Sequence, residues 1–171
     1  VIRVLCVLVL LGHIATAGKR VSYAIVIGNN APPGYGTTEV LQPLRYADDD
    51  AIRYFQLFSR FAQTRLLVVA DPPTQKRYPE LAAQSILPTL DNLRRVVSEL
   101  GVQMQQDRAR GDQPILYFAY SGHGSRDDRG GAFLALLDGP LTQDVLYALI
   151  GGLPTEFTHL IVDACNAGGV V

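Results

Sequence analysis

Three long-spaced apolar runs dominate the pattern of the chain, and each breaks into small or polar residues at its carboxyl end. Val21 to Gly28 reads Val-Ser-Tyr-Ala-Ile-Val-Ile-Gly; Pro114 to Tyr120 runs into Ser121-Gly122-His123-Gly124; Thr158 to Val162 runs into Asp163-Ala164-Cys165-Asn166-Ala167-Gly168. Near-continuous apolar runs of this length predict strands buried on both faces of a parallel sheet. Arg65 to Ala70 predicts another strand, ended by Asp71-Pro72-Pro73. Between these runs the period lengthens to that of a helix. Leu44 to Phe61 places Leu44, Ala47, Ala51, Tyr54, Phe55 and Phe58 on one face, and Ser85 to Asp107 does the same with Leu90, Leu93, Val97 and Leu100. Thr142 is placed to cap a helix that reaches Ile150 and is closed by Gly151-Gly152. Ala132 to Leu137 predicts a short extended piece, Gln75 to Glu80 a polar loop, and Gln105 to Gln113 a charged exposed stretch. Strands alternating with helices of this length imply right-handed crossovers and a sheet covered on both sides. The expected fold is a three-layer α/β/α sandwich with a mostly parallel, Rossmann-like sheet.

Length and charge narrow the classes of function. The chain has 171 residues, enough for one core, with no internal repeat. Its 15 basic against 16 acidic side chains leave no electrostatic footprint for nucleic acid or an anionic membrane. The first residues, one arginine and then an apolar run to Leu11 followed by Ala15-Thr16-Ala17, have the layout of a secretory signal peptide over residues 1–17. A secreted or periplasmic protein is expected, with no membrane contact beyond the leader. Cys6 would leave with that leader, so the mature chain, residues 21–171 of which form the domain, keeps Cys165 as its one thiol. Gly34 and Gly36 lie in the loop after the first strand, but no GKS or GxGxxG accompanies them, so no nucleotide is assigned. Asp48, Asp49 and Asp50 load the first turn of a predicted helix, where negative charge opposes the helix dipole favourably.

The candidate chemistry lies at two strand ends. In open α/β sheets, reactive groups gather where loops leave the carboxyl ends of parallel strands. His123 and Cys165 both take that position, the histidine upstream by an interval of the order found in caspases. Alternation along a strand would put Asp163 and Cys165, two apart, on one side of the sheet. An imidazole beside a thiol lowers the thiol's pKa and later protonates a leaving amine, which is what peptide hydrolysis by sulfur requires.

Ser121-Gly122-His123-Gly124 together with Asp163-Ala164-Cys165-Asn166-Ala167-Gly168 resembles the caspase-like cysteine peptidases, peptidase C14-like, and is nearer to metacaspases and their bacterial relatives than to animal caspases. The resemblance covers roughly Val21 to the end, which is similar to the large-subunit half of such a domain. It implies a Cys165–His123 dyad and an oxyanion hole made by the backbone N–H groups of Gly124 and Cys165. It also implies a substrate pocket formed by Asp50, Ser121 and Asp163. Animal caspases typically carry a neutral glutamine where Asp163 stands; a partly buried acid there pairs with a cation, so cleavage after Arg or Lys is expected. Arg45, if turned inwards, would favour an acidic substrate instead. No cofactor is expected apart from the calcium that some metacaspases need, and Asp138 resembles one acidic position of that site. Caspase-like domains continue with further strands, so a small-subunit-like segment is expected to be missing after Val171. The alternative to an endopeptidase is a non-catalytic regulatory or interaction module on the same fold.

Overall fold

The computed structural model describes residues 18–36 and 41–171; the expected leader, residues 1–17, lies outside them. A strand apolar on both faces must sit inside a sheet, and β1 (Arg20–Asn29) does: it is flanked on one side by β2 (Ala62–Val68) and on the other by β3 (Gln113–Gly122). β7 (Phe157–Asp163) pairs with β3 to complete the order β2-β1-β3-β7, and every pairing is parallel. Alternate residues of β1 face opposite layers. Tyr23, Ile25 and Ile27 pack with Leu116, Phe118 and Tyr120 against α4 (Leu90–Ala109) and α5 (Gln143–Ile150). Ala24 and Val26 pack with Ala119 against α1 (Ala47–Phe58). The helices thus cover both faces of a mostly parallel sheet, the α/β/α arrangement expected. Close packing of α1 depends on Gly28, where a Cβ would lie 2.5 Å from Ala51 Cβ and 2.7 Å from the Ala47 carbonyl oxygen.

Several boundaries differ from the sequence reading, each for a local reason. α1 starts at Ala47, three residues after Leu44, because its cap comes from outside the helix: Asn30 Oδ1 accepts the Ala47 N–H at 2.8 Å. Leu44 is left 38% exposed rather than in the stripe. β2 begins at Ala62 and ends at Val68, before Val69 and Ala70. The polar stretch after it is helical: Asp71 caps α2 (Pro72–Arg77) by accepting the Thr74 N–H at 2.8 Å, and Pro79 opens α3 (Pro79–Gln84). Proline is preset for a first helical turn, so the Asp-Pro-Pro expected to end a strand instead starts a helix, separated from the end of β2 by Val69 and Ala70. Ser85 to Thr89 is not helical; Ile86 pairs with Leu67 and covers the outer edge of β2, and Thr89 caps α4. α4 continues to Ala109, with Asp107 buried against the Tyr23 hydroxyl and Arg110, so the expected exposed stretch begins as helix. A second, antiparallel sheet, β4 (Gly124–Arg126), β5 (Ala132–Ala135) and β6 (Pro140–Thr142), follows β3 directly. Thr142 caps α5 as expected, accepting the Val145 N–H at 3.4 Å.

The chain leaves β1 towards β2 on one side and returns through β3 and β7 on the other, so the strand order reverses between β1 and β3. Ligand crevices of open sheets form outside the carboxyl ends at such a reversal. The rim there is tied by Asp48, whose side chain is fully buried. It accepts from Asn30 Nδ2 at 2.7 Å, from the Asp71 N–H at 2.8 Å and from the Asp49 N–H at 2.9 Å, joining the ends of β1, α1 and the start of α2. Asp49 is likewise buried, paired with Arg77. These two acids stand in the first turn of α1, as expected, and are also buried structural partners. Replacing Asp48 by Ala strands buried donors that it now accepts from, so Asp48→Ala is expected to lower unfolding stability by about 3 kcal/mol and Asp48→Asn by less. Urea denaturation of the two variants checks this, and equal midpoints for wild type and Asp48→Ala would contradict it.

Candidate active site

β3 and β7 end level. Ser121 is the register partner of Asp163, and His123 and Cys165 each stand two residues beyond that pair. β7 ends at Asp163, and Asn166 turns the chain sharply in the left-handed region, with φ of 57°, before a short 3₁₀ turn at Ala167–Gly169. Cys165 is therefore carried on a tight loop, exposed and free of any disulfide. His123 is the single residue between β3 and β4. The two loops meet backbone to backbone: a Cβ added to Gly124 would lie 1.8 Å from the Cys165 carbonyl oxygen. Only glycine fits there.

The His123 turn is fixed from below by residues with no signal in the sequence. Tyr120 is fully buried; its hydroxyl lies 2.9 Å from the His123 carbonyl oxygen and 2.8 Å from that of Ala135. Ala135 N–H also donates to the His123 carbonyl at 2.9 Å, and Asn29 Nδ2 to the Ala135 carbonyl at 3.1 Å. The Ala135-to-His123 bond makes the facing residues Gly124 and Leu134 a non-hydrogen-bonded pair of the β4–β5 ladder. The Gly124 N–H is thereby left out of the ladder. Among the described residues the Cys165 N–H has no acceptor either.

His123 is 9% exposed, and its Nε2 is buried without a hydrogen-bond partner. No hydrogen bond joins it to Cys165 Sγ in this arrangement. Burial pushes the imidazole's pKa below its ordinary value, with a backbone hydrogen bond to Gln42 acting weakly in the opposite direction. The resting ring is neutral at pH 7 and carries an orphaned nitrogen beside the thiol's loop. In unliganded sites such pairs are often loose.

A cleft of about 440 Å³ opens over the strand tips, lined by Arg45, Asp50, Ser121, Asp163 and Cys165 together with Tyr46 and its neighbours. It brings together the three residues expected to form a substrate pocket with the expected nucleophile; His123 is not among its lining residues. Of the three consecutive acids before Ala51, Asp50 alone lines this cleft, since Asp48 and Asp49 are buried elsewhere. Ser121 is buried and Asp163 is exposed, where a partly buried carboxylate was expected. Asp163 lies at the open edge of the sheet, which leaves it in solvent. Asp50 is engaged on its outer side by Arg53 at 3.0 Å. Asp138, behind the calcium expectation, accepts the Leu90 N–H at 2.8 Å at the start of α4. Among the described residues no three His, Cys, Asp or Glu side chains gather as a cation site would need.

Comparison with known proteins agrees with the fold. A family profile described as a caspase domain matches residues 21–171. No curated protein matches the chain. Among solved structures, a crystal structure of a Geobacter sulfurreducens protein, determined as a structural-genomics target, is similar in fold with a TM-score of 0.57 at 21% identity, over 85% of this chain and 50% of that one. The chain thus spans half the length of that structure.

The buried neutral His123 ties stability to pH. Its pKa is depressed in the folded chain, so the unfolded chain binds the proton more readily; its contribution is whole above the ordinary value of 6.5 and is lost as pH falls through the lower folded value. Wild type is expected to lose more stability than His123→Gln between pH 7.5 and acid pH. Urea midpoints measured in parallel check this, and parallel pH profiles would contradict it.

Proposed function

The chain belongs to the caspase-domain peptidase family, and from that premise we propose that it is a cysteine endopeptidase domain that cuts after Arg or Lys, with Cys165 as nucleophile and His123 as its acid–base partner. The observation that supports the reading is the backbone contact between Gly124 and Cys165, which brings together the loop bearing an exposed thiol and the turn bearing a buried imidazole, next to a cleft holding two carboxylates.

The chemistry follows from these groups. As Cys165 Sγ attacks the scissile carbonyl carbon, its proton passes to His123 Nε2, which has no competing partner. The carbonyl oxygen becomes an oxyanion, held by the N–H groups of Gly124 and Cys165, both without an acceptor. Collapse expels the amine, which takes the proton from the imidazolium and leaves a thioester on Cys165. Water then attacks the thioester, giving its proton to His123, and collapse returns that proton to sulfur as the carboxylic acid departs. Asp50 and Asp163 attract the guanidinium or ammonium of the preceding residue, and Ser121 supplies a neutral acceptor between them. With the leader expected at residues 1–17, the substrates are proteins or peptides outside the cytoplasm.

A second reading, a non-catalytic interaction module, is favoured by one observation: imidazole and thiol are not hydrogen-bonded at rest. Turnover separates the two. On matched fluorogenic peptides ending in Arg, Lys or Asp, Arg and Lys peptides are expected to be cleaved, with at least a roughly thousand-fold loss in Cys165→Ala. Equal signals from the two proteins would support the module, and preference for Asp would remove the cation pocket. Gly124→Ala, whose Cβ cannot coexist with the Cys165 carbonyl, is expected to lower kcat by about a hundred-fold with a smaller change in KM. Unchanged kcat in that variant would separate the backbone contact from catalysis.

A further inference from the structure

Resting on the reading of the cleft as a site for a basic residue, we infer that Arg45 is a second specificity element, selecting substrates that carry an acidic side chain next to the Arg or Lys at the scissile bond. Arg45 lines the same cleft as Asp50, Asp163 and Cys165. It is exposed, and among the described residues it makes no ion pair, although two carboxylates share its cleft. Arg53, Arg77, Arg94, Arg95, Arg108 and Arg110 all pair with acids of this chain. Among the described residues, Arg45 is the guanidinium lining the cleft that makes no ion pair.

The backbone beneath it is held firmly. Asn30 accepts the Leu44 N–H through its carbonyl oxygen at 2.8 Å and the Ala47 N–H through Oδ1 at 2.8 Å, bracketing Arg45 and Tyr46 between two bonds. The Asn30 amide nitrogen in turn donates to buried Asp48 at 2.7 Å. A charge on such a rim is carried by backbone held at a set position, with its side chain exposed.

Charge balance decides what it meets. Arg45 lines the cleft with Asp50 and Asp163, and Arg53, outside the lining, pairs with Asp50. A bound Arg or Lys adds one positive charge, and an acidic neighbour in the substrate cancels it against Arg45. A second basic residue there would meet like charge and be disfavoured. This also answers the contrary signal of Arg45 in the sequence: the guanidinium reads a different substrate residue from the one read by the carboxylates.

Binding of labelled peptides to the full chain carrying Cys165→Ala, followed by fluorescence anisotropy, tests this without turnover. The peptides hold one Arg flanked on either side by Glu, Ala or Lys, and a control set holds Asp in place of Arg. The Glu-flanked Arg peptide is expected to bind about three-fold tighter than the Ala-flanked one, the gain of an exposed ion pair, and to lose that advantage at high salt. Adding Arg45→Gln should abolish the advantage while leaving Arg ranked above Asp, and Arg45→Glu should turn it towards the Lys-flanked peptide. A flank preference absent from the Cys165→Ala chain, or unchanged by Arg45→Gln, overturns the inference and leaves the cation pocket standing. Tightest binding of the Asp set, or no binding of any peptide, overturns the cation pocket itself and the inference with it.

Discussion

The site depends on one row of residues crossing the sheet. Val68, Gly28, Ser121 and Asp163 lie side by side on β2, β1, β3 and β7, so the strands that carry the candidate chemistry end at one level. Register in a parallel sheet is set by burial, because a slip of one residue would turn each strand's inward side chains to the opposite layer. Tyr120 on one face and Ala119 on the other do not share a layer: one packs among the side chains facing α4, the other among those facing α1. The core thereby holds His123 and Cys165 at equal distance beyond the sheet, and the Gly124 contact closes the remaining gap.

Polar groups complete what the core begins. Around Asn30 and Asp48, four hydrogen bonds tie the end of β1 to the starts of α1 and α2, and a fifth from the Leu44 N–H fixes the rim of the cleft. A second set, Asn29, Tyr120 and Ala135, holds the His123 carbonyl from beneath. Buried polar groups this well satisfied specify one arrangement and resist others. Among the described residues His123 Nε2 and, on α4, Gln103 Oε1 are buried and unpaired, a condition that costs about 1–3 kcal/mol each.

Electrostatics divides the cleft into distinct jobs. The imidazole is buried and its pKa is pushed down, whereas Asp50 and Asp163 line the cleft, Asp163 exposed and Asp50 half-buried. Arg53 tempers Asp50 from outside and Arg45 stands on the rim, so the pocket is not a plain negative wall but a graded field. Selectivity in such a field comes from the pattern of the partner's charges more than from their sum.

The apolar runs before Gly28, Ser121 and Asp163 were enough by themselves to give parallel strands, an α/β/α layering and two strand tips bearing a histidine and a cysteine, because burial on both faces leaves a direct mark on composition. Local pattern misled at two places: Asp71-Pro72-Pro73, expected to end a strand, begins α2, and Leu44 sits in helical phase without being in the helix. Three consecutive aspartates look alike as letters; only packing separates buried Asp48 and Asp49 from Asp50 on the cleft. Nor does sequence carry the Tyr120 hydroxyl's contact with the His123 turn, the bracketing of Arg45 by Asn30 or the closeness of Gly124 to Cys165. Those contacts join residues far apart along the chain, and their distances are set by how the strands align and the helices close over them, which no stretch of the sequence holds alone.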